Sequence, residues 1–182
     1  MESHVQAYLS EAESDLALAK VSYVLSTDKG QRESLSVPKE VNFLKKVSTL
    51  SYFAMFHAAK ALLISNGIIT NFPNEHIKTY LALKDYLHSK GPETPPIRTN
   101  RNEAVTPKDL LKIFYREKDK RVDSTYKVTV EATQLEAETS LSNADTFISA
   151  MKCLLGHNGS SLAENCTFGD PETESFFLGF QD

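Results

Sequence analysis

Hydrophobic residues recur at intervals of three and four in five segments of the chain, which is the spacing of amphipathic helices. We therefore predict helices over residues 3–26, 39–66, 73–89, 107–126 and 130–155. The segments need one another to bury their apolar stripes, and short connections favour antiparallel neighbours. The predicted fold class is all-α: a four- to five-helix up-and-down antiparallel bundle. Glycines mark the predicted stops of four helices, at Gly30, Gly67, Gly91 and Gly156.

The same intervals predict which residues face the core. The second helix is apolar nearly all round from Leu50 to Ile64, so we place it in the middle of the bundle. The first helix contributes Val5, Tyr8, Leu9, Ala12, Leu16, Ala19 and Tyr23. The third contributes Ile77, Tyr80, Leu81 and Leu87, and the fourth Leu110, Leu111, Phe114 and Tyr115. The fifth contributes Ala137, Leu141, Ala144, Phe147, Ile148, Met151, Leu154 and Leu155.

Two helix starts are encoded locally. Thr106 is a predicted N-cap, followed by proline at the first helical position and an acidic residue in the first turn. The β-branched run at residues 125–130 predicts an interruption, after which Thr129 can cap the last helix. Residues 91–106 contain three prolines without periodicity, and we predict a loop there.

Composition narrows the class of protein. The 182 residues carry a net charge of −4, so no global positive field attracts nucleic acid. The two cysteines do not form a disulfide framework, and the first residues lack the pattern of a secretory signal. His57 and Lys60 interrupt the longest apolar run, which is then short for a membrane span. These features predict a cytoplasmic protein without a membrane partner.

The chain divides into two predicted parts. Residues 1–156 form the helical bundle, and residues 157–182 form a tail that is polar at first and then rich in phenylalanine. Phe176, Phe177 and Phe180 lie within five residues of one another. Such a tail either is mobile or packs on its own domain, or it docks on a partner protein.

Candidate metal chemistry is sparse. The chain has no glycine-rich phosphate loop, no His-Glu-x-x-His pair and no Cys-x-x-Cys pair. Cys153 and His157 can share a helix face, but two ligands without a third make a poor metal site. We predict no metal and no cofactor.

His57 and Lys60 in the central helix are either a satisfied pair at the core edge or a polar pair lining a groove, where they could meet a phosphate or carboxylate.

Positive charge is concentrated in the fourth predicted helix. Residues 108–127 hold seven basic and four acidic side chains. Between residue 128 and the last residue, Lys152 is the only lysine or arginine. Lys112, Arg116 and Lys120 are spaced by four and form one basic ridge. The ridge is either a solvated helix face or a surface that contacts RNA or a nucleotide.

Three segments resemble one protein family. Residues 51–63 (SYFAMFHAAKALL) look like the second-helix signature of HEPN domains, helical domains associated with nucleotidyltransferases. Residues 121–126 (RVDSTY) resemble the family's Arg-x-x-Ala-Asp-Tyr segment, and residues 144–148 (ADTFI) resemble its closing helix. Together the resemblance covers residues 8–155.

The resemblance implies a homodimeric helical bundle that acts beside RNA or nucleotides, in a toxin–antitoxin or defence pair with a nucleotidyltransferase partner. Many HEPN proteins are metal-independent ribonucleases that use an arginine followed four to six residues later by a histidine. The arginine would stabilise charge on the phosphorane, and the histidine would move a proton. In this chain Arg121 has Thr125, Tyr126 and Lys127 at those positions.

Three functions remain open on these residues. The first is a noncatalytic dimeric module that binds RNA, a nucleotide or a nucleotidyltransferase through Arg121, Lys60 and the basic ridge of Lys112, Arg116 and Lys120. The second is an endoribonuclease with a degenerate motif, in which Arg121 works with Tyr126 or His57. The third is a helical protein-interaction adaptor that docks its partner through the phenylalanine-rich tail.

Overall fold

A computed structural model describes residues 2–89, 96–99, 104–126 and 132–157. These residues form an all-α bundle, which confirms the predicted fold class. The helices are α1 (Glu2–Thr27), α2 (Lys29–Ser34), α3 (Leu44–Ser65), α4 (Glu75–Ser89), α5 (Pro107–Tyr126) and α6 (Gln134–His157). Two short strands, β1 (Ile97–Arg98) and β2 (Ala104–Val105), pair antiparallel within the segment predicted as a loop.

Helix α3 lies at the centre of the bundle, as predicted, and contacts α1, α4, α5 and α6. It is antiparallel to α1, since the backbone N–H of Phe43 donates to Ser26 at one end while Lys60 lies over the Tyr8 ring at the other. Among the described residues, α3 is the only helix with the length and mean hydropathy of a membrane span. The other helices bury 72% of that apolar stretch, as is typical of a helix in the core of a bundle.

Ion pairs fix the direction of α6 relative to α1. Lys20 pairs with Asp145 at 3.0 Å, and Lys152 pairs with Glu13 at 2.5 Å. These two contacts share one antiparallel register, in which the residue opposite Tyr8 is His157. Helix α6 therefore ends at the end of the bundle where α1 begins and α3 finishes.

Helix ends follow capping chemistry, with one correction. Thr106 caps α5 as predicted: its hydroxyl accepts the Asp109 N–H at 3.2 Å and donates to the Asp109 carboxylate at 2.6 Å. The cap of α6 is Thr133, which forms a capping box with Glu136. The helix therefore starts four residues later than predicted, and Thr129 lies outside the described residues.

Gly67 ends the central helix as predicted, because its φ of 75° suits a residue without a side chain. Its N–H donates to the Ile64 carbonyl at 2.9 Å, and the Ile68 N–H donates to Leu63 at 2.9 Å. Gly156, in contrast, lies within α6, which continues through His157.

The connection between α1 and α3 departs from the prediction. Gly30 does not end a helix but lies inside α2, which begins after the Asp28 cap. The predicted helix over residues 39–43 is absent because the Arg32 guanidinium holds that segment by donating to backbone carbonyls at 2.6–3.1 Å. These acceptors are Pro38, Lys39 and Val41, and the Pro38 carbonyl also accepts the Val41 N–H at 3.2 Å in a single turn that is not continued as a helix.

The core prediction for α4 is confirmed for Leu87, which is buried, and for Tyr80, which packs against the core, but it is wrong for the other two residues. Ile77 and Leu81 were placed in the core, but they are 53% and 49% exposed. Thr79 and Leu83 are fully buried instead. The buried Thr79 hydroxyl pairs with Thr70 at 2.8 Å, so a polar side chain occupies a core position at little cost.

Candidate functional site

Arg121 in the last turns of α5 lies against the aromatic side of α3. Its guanidinium carbon is 5.3 Å from the Phe53 ring centroid and 5.9 Å from that of Tyr52. A cation–π contact with two aromatic rings favours the charged guanidinium and restricts its position. The Nε atom is buried without a hydrogen-bond partner among the described residues. Arg121 is therefore positioned by ring contacts and keeps donor capacity.

His76 in the first turn of α4 completes this group. Its Nδ1 lies 3.0 Å from the hydroxyl of Tyr52, and its ring centroid lies 4.3 Å from that of Phe56. Burial raises the pKa of Tyr52, so the hydroxyl keeps its proton. We assign this hydroxyl as the donor to Nδ1, which places the imidazole proton on Nε2. We call Arg121, Tyr52, Phe53 and His76 the Arg121–His76 cluster.

The charges around His76 make its pKa sensitive to an anion bound in the cluster. Burial lowers the pKa of His76 below its usual value, and the positive charge of Arg121 lowers it further. Glu75 opposes this shift, while His57 and Lys60 add to it. His76 is thus neutral at pH 7. An anion beside Arg121 would reverse part of the shift, because it stabilises the imidazolium.

The structure gives His57 and Lys60 separate partners rather than one shared ligand. His57 Nδ1 lies 2.9 Å from the Asp15 carboxylate of α1. Lys60 is buried and donates to Glu75 of α4. Burial alone would lower the pKa of Lys60, but the bonds to Glu75 and Tyr8 outweigh it and raise that pKa. Lys60 is therefore a charged, satisfied side chain at the core edge.

A cavity of about 460 Å³ opens beside Lys60, at the end of the bundle where α1 begins. Its walls are partly apolar and partly polar. We call it the Lys60 cavity, and the residues lining it are His4, Tyr8, Lys60, Ile64, Ile69 and Asn71.

The predicted basic ridge divides into two parts. Lys112 and Arg116 are exposed on α5. Lys120 turns toward α6 and donates to Glu117 at 2.7 Å and to Ser140 at 3.3 Å. Glu117 has a fully buried side chain. Lys120 is thereby occupied inside the protein, and its predicted ligand contact stays a prediction.

Two other predicted residues add little to the site. The side chain of Tyr126 lies outside the described residues, so its role stays a prediction. Cys153 is a half-buried cysteine on α6. Within the described part of the chain, no three His, Cys, Asp or Glu side chains are grouped closely enough to hold a metal ion.

Comparison with known families decides the identity of the bundle. Residues 33–154 match the family model of the HEPN domain. The chain belongs to the HEPN domain family. This confirms the resemblance seen in residues 51–63, 121–126 and 144–148. Among curated proteins, none matches the chain.

His76 belongs to this candidate site of the HEPN domain and was not predicted from the sequence. The predicted partners of Arg121 were Tyr126 and His57, whereas the structure supplies His76 from α4. A signal was available: His76 begins the stripe that continues through Thr79, Leu83 and Leu87 on the buried face of α4. A guanidinium, a neutral imidazole and two aromatic rings together can hold a phosphate and exchange a proton with it.

Proposed function

We propose that this HEPN domain binds RNA or a nucleotide by its phosphate at the Arg121–His76 cluster. The observation that carries the proposal is the Arg121 guanidinium, which lies over the rings of Phe53 and Tyr52 and whose Nε has no partner among the described residues. A guanidinium presents paired donors that match phosphate oxygens. The Nε2–H of His76 is a further donor nearby, and the half-buried ring of Phe53 offers a face for a base.

The protonation of His76 tests where the phosphate binds. We expect NMR titration of the free protein to give His76 a pKa below 6.5, and saturating AMP to raise it, because the phosphate favours the imidazolium. By linkage, AMP then binds more tightly as pH falls through the raised pKa of His76 in the complex, and the gain is complete below the pKa of His76 in the free protein. The NMR signals of His88, exposed in the last turn of α4, serve as the internal control and should not shift when AMP is added. An unchanged His76 pKa in the presence of bound AMP would contradict the proposed site.

A second candidate is a metal-independent endoribonuclease, and the position of His76 specifically favours it. The sequence offers no histidine at the family spacing, yet His76 contacts the hydroxyl of Tyr52 at 3.0 Å, and Arg121 lies over the ring of the same tyrosine. A neutral imidazole can accept the proton of a 2′-hydroxyl while Arg121 stabilises the charge on phosphorus.

Cleavage in the absence of metal tests this second function. We expect the full chain to cleave single-stranded RNA in EDTA, and His76→Ala to lose about 10²- to 10⁴-fold in rate, as for removal of a general base. His57→Ala is the matched control, because His57 pairs with Asp15 and should lose less than tenfold. Intact RNA with the wild-type protein would exclude this candidate and leave the noncatalytic module.

The proposed unit is a homodimer, with a nucleotidyltransferase as partner and a toxin–antitoxin or defence role, as is common among HEPN domains. An exposed apolar face supports self-association: Ile77 and Leu81 on α4 and Tyr115 on α5 are each about half exposed. A monomer throughout a micromolar dilution series in analytical ultracentrifugation would contradict the dimer.

A further inference from the structure

The Lys60 cavity is open and partly apolar, and the connection from α3 to α4 beside it exposes two large apolar side chains. Ile69 lines the cavity and is 70% exposed, and Phe72 in the same connection is 88% exposed. Solvent-exposed apolar surface of this kind marks a site that another group covers. At about 460 Å³ the cavity has room for two aromatic rings, since a dry cavity of roughly 150 Å³ is known to hold one benzene.

The chain itself carries a segment of matching chemistry. Residues 176–180 (FFLGF) hold three phenylalanines and lie outside the described residues. Residues 158–182 contain five acidic and no basic side chains. On the cavity side, the exposed Lys78 donates to the carbonyl of the cavity-lining Asn71 at 3.2 Å, while the charge of Lys60 is already paired with Glu75. The match between the segment and the cavity is therefore mainly apolar, and Lys78 adds one positive charge beside it.

Helix α6 ends close to the Lys60 cavity, so the segment that follows it starts near this cavity. The register between α1 and α6 sets His157 opposite Tyr8, which lines the cavity. Eighteen residues separate His157 from Phe176. A chain of this length spans at most roughly 60 Å. The tether is long enough to return to the cavity from the end of α6.

We propose that residues 176–180 of this chain dock in the Lys60 cavity of the same molecule. The tether raises the effective concentration of the segment to on the order of 1 mM, so a segment with a Kd on the order of 100 µM would be about 90% bound.

The Phe56 ring separates this cavity from the Arg121–His76 cluster: Lys60 Nζ lies 5.6 Å from its centroid, and the His76 ring lies 4.3 Å from it. Docking would thus seat the segment beside the phosphate site.

Competition with a labelled peptide tests the proposal. The probe is a fluorescein-labelled peptide of residues 170–182, titrated with the full chain and followed by anisotropy. We expect the variant Phe176→Ser/Phe177→Ser/Phe180→Ser to bind the peptide about tenfold more tightly than the wild type, whose cavity its own segment occupies. Equal affinity of the two proteins, or no binding by the triple variant, would overturn the proposal.

Two further substitutions locate the binding. Ile69→Asp added to the triple variant should reduce peptide affinity at least tenfold; this side chain is exposed, so the fold tolerates the change. Leu135→Asp is the matched control, because Leu135 is 71% exposed in the first turn of α6, at the opposite end of the bundle, and should leave affinity unchanged. If peptide affinity of the wild type rises on dilution of the protein, the occupant comes from a second copy and the intramolecular contact is wrong.

Discussion

Phe114→Ala is expected to destabilise the protein by about 4 kcal/mol, the typical cost of emptying a buried aromatic site. Phe114 is 1% exposed and stacks between two rings, with centroid distances of 5.6 Å to Tyr52 and 5.2 Å to Phe147. The three rings join α3, α5 and α6, so no single helix can move to close the space. Because domain stability is of order 5–15 kcal/mol, this loss is a large part of the total.

Urea unfolding measures that loss as a lower midpoint with an unchanged slope. Tyr115→Ala is the matched control on the same helix: Tyr115 is 46% exposed, and its removal should cost less than about 1 kcal/mol. A loss below about 1.5 kcal/mol for Phe114→Ala would contradict a close-packed centre. The same variant should also weaken ligand binding, since Phe114 supports the Tyr52 ring under Arg121.

Glu117→Ala has the second largest expected effect, a loss of about 3 kcal/mol. The Glu117 carboxylate is fully buried, and it accepts from Lys120 at 2.7 Å and from Asn143 at 2.8 Å. Removal of the acceptor leaves a partly buried ammonium and an amide without their partner. The loss is measured by the same urea unfolding.

The control for Glu117 is Asp119→Ala, an exposed carboxylate on the same helix that pairs with Lys118 at 3.5 Å and should cost less than about 0.5 kcal/mol. A second comparison isolates the charge. Glu117→Leu combined with Lys120→Met should recover most of the lost stability, since an apolar pair can replace a buried ion pair. Equal losses for Glu117→Ala and Asp119→Ala would show that the buried pair has no stabilising role.

The fold was largely predictable because the apolar stripes of α1, α5 and α6 have the helical period and face one core. Errors arose at two places where polar side chains take part in packing: one where a side chain binds backbone carbonyls, and one where polar residues lie on the buried face of a helix. Arg32 donates to three carbonyls of residues 38–41, and the helix predicted to begin at residue 39 begins at Leu44 instead. On α4 the buried stripe begins with His76 and Thr79, and a search by hydrophobicity instead selected the exposed Ile77 and Leu81.

The candidate site was predictable only in part. Arg121 was found from its family motif, and His57 and Lys60 from their apolar surroundings. Their partners could not be found, because Asp15 and Glu75 lie on other helices and no sequence spacing links them to α3. His76 was missed for the same reason. Contacts between helices depend on crossing geometry, which hydrophobic periodicity does not specify.

RNA binding by Arg121→Ala tests the central claim, that the Arg121–His76 cluster holds the phosphate. The assay is the anisotropy of a labelled single-stranded RNA over a series of KCl concentrations. Arg121→Ala should weaken binding about 10- to 100-fold, because a charged hydrogen bond is worth roughly 1.5–3 kcal/mol, and it should reduce the salt slope by about 0.7. The helical circular-dichroism signal should be unchanged.

Arg116→Ala is the matched variant, an exposed arginine on the same helix and a member of the predicted ridge. It should weaken binding less than about threefold. Unchanged binding by Arg121→Ala, or an equal loss in both variants, would contradict the claim and place the RNA on the outer face of α5.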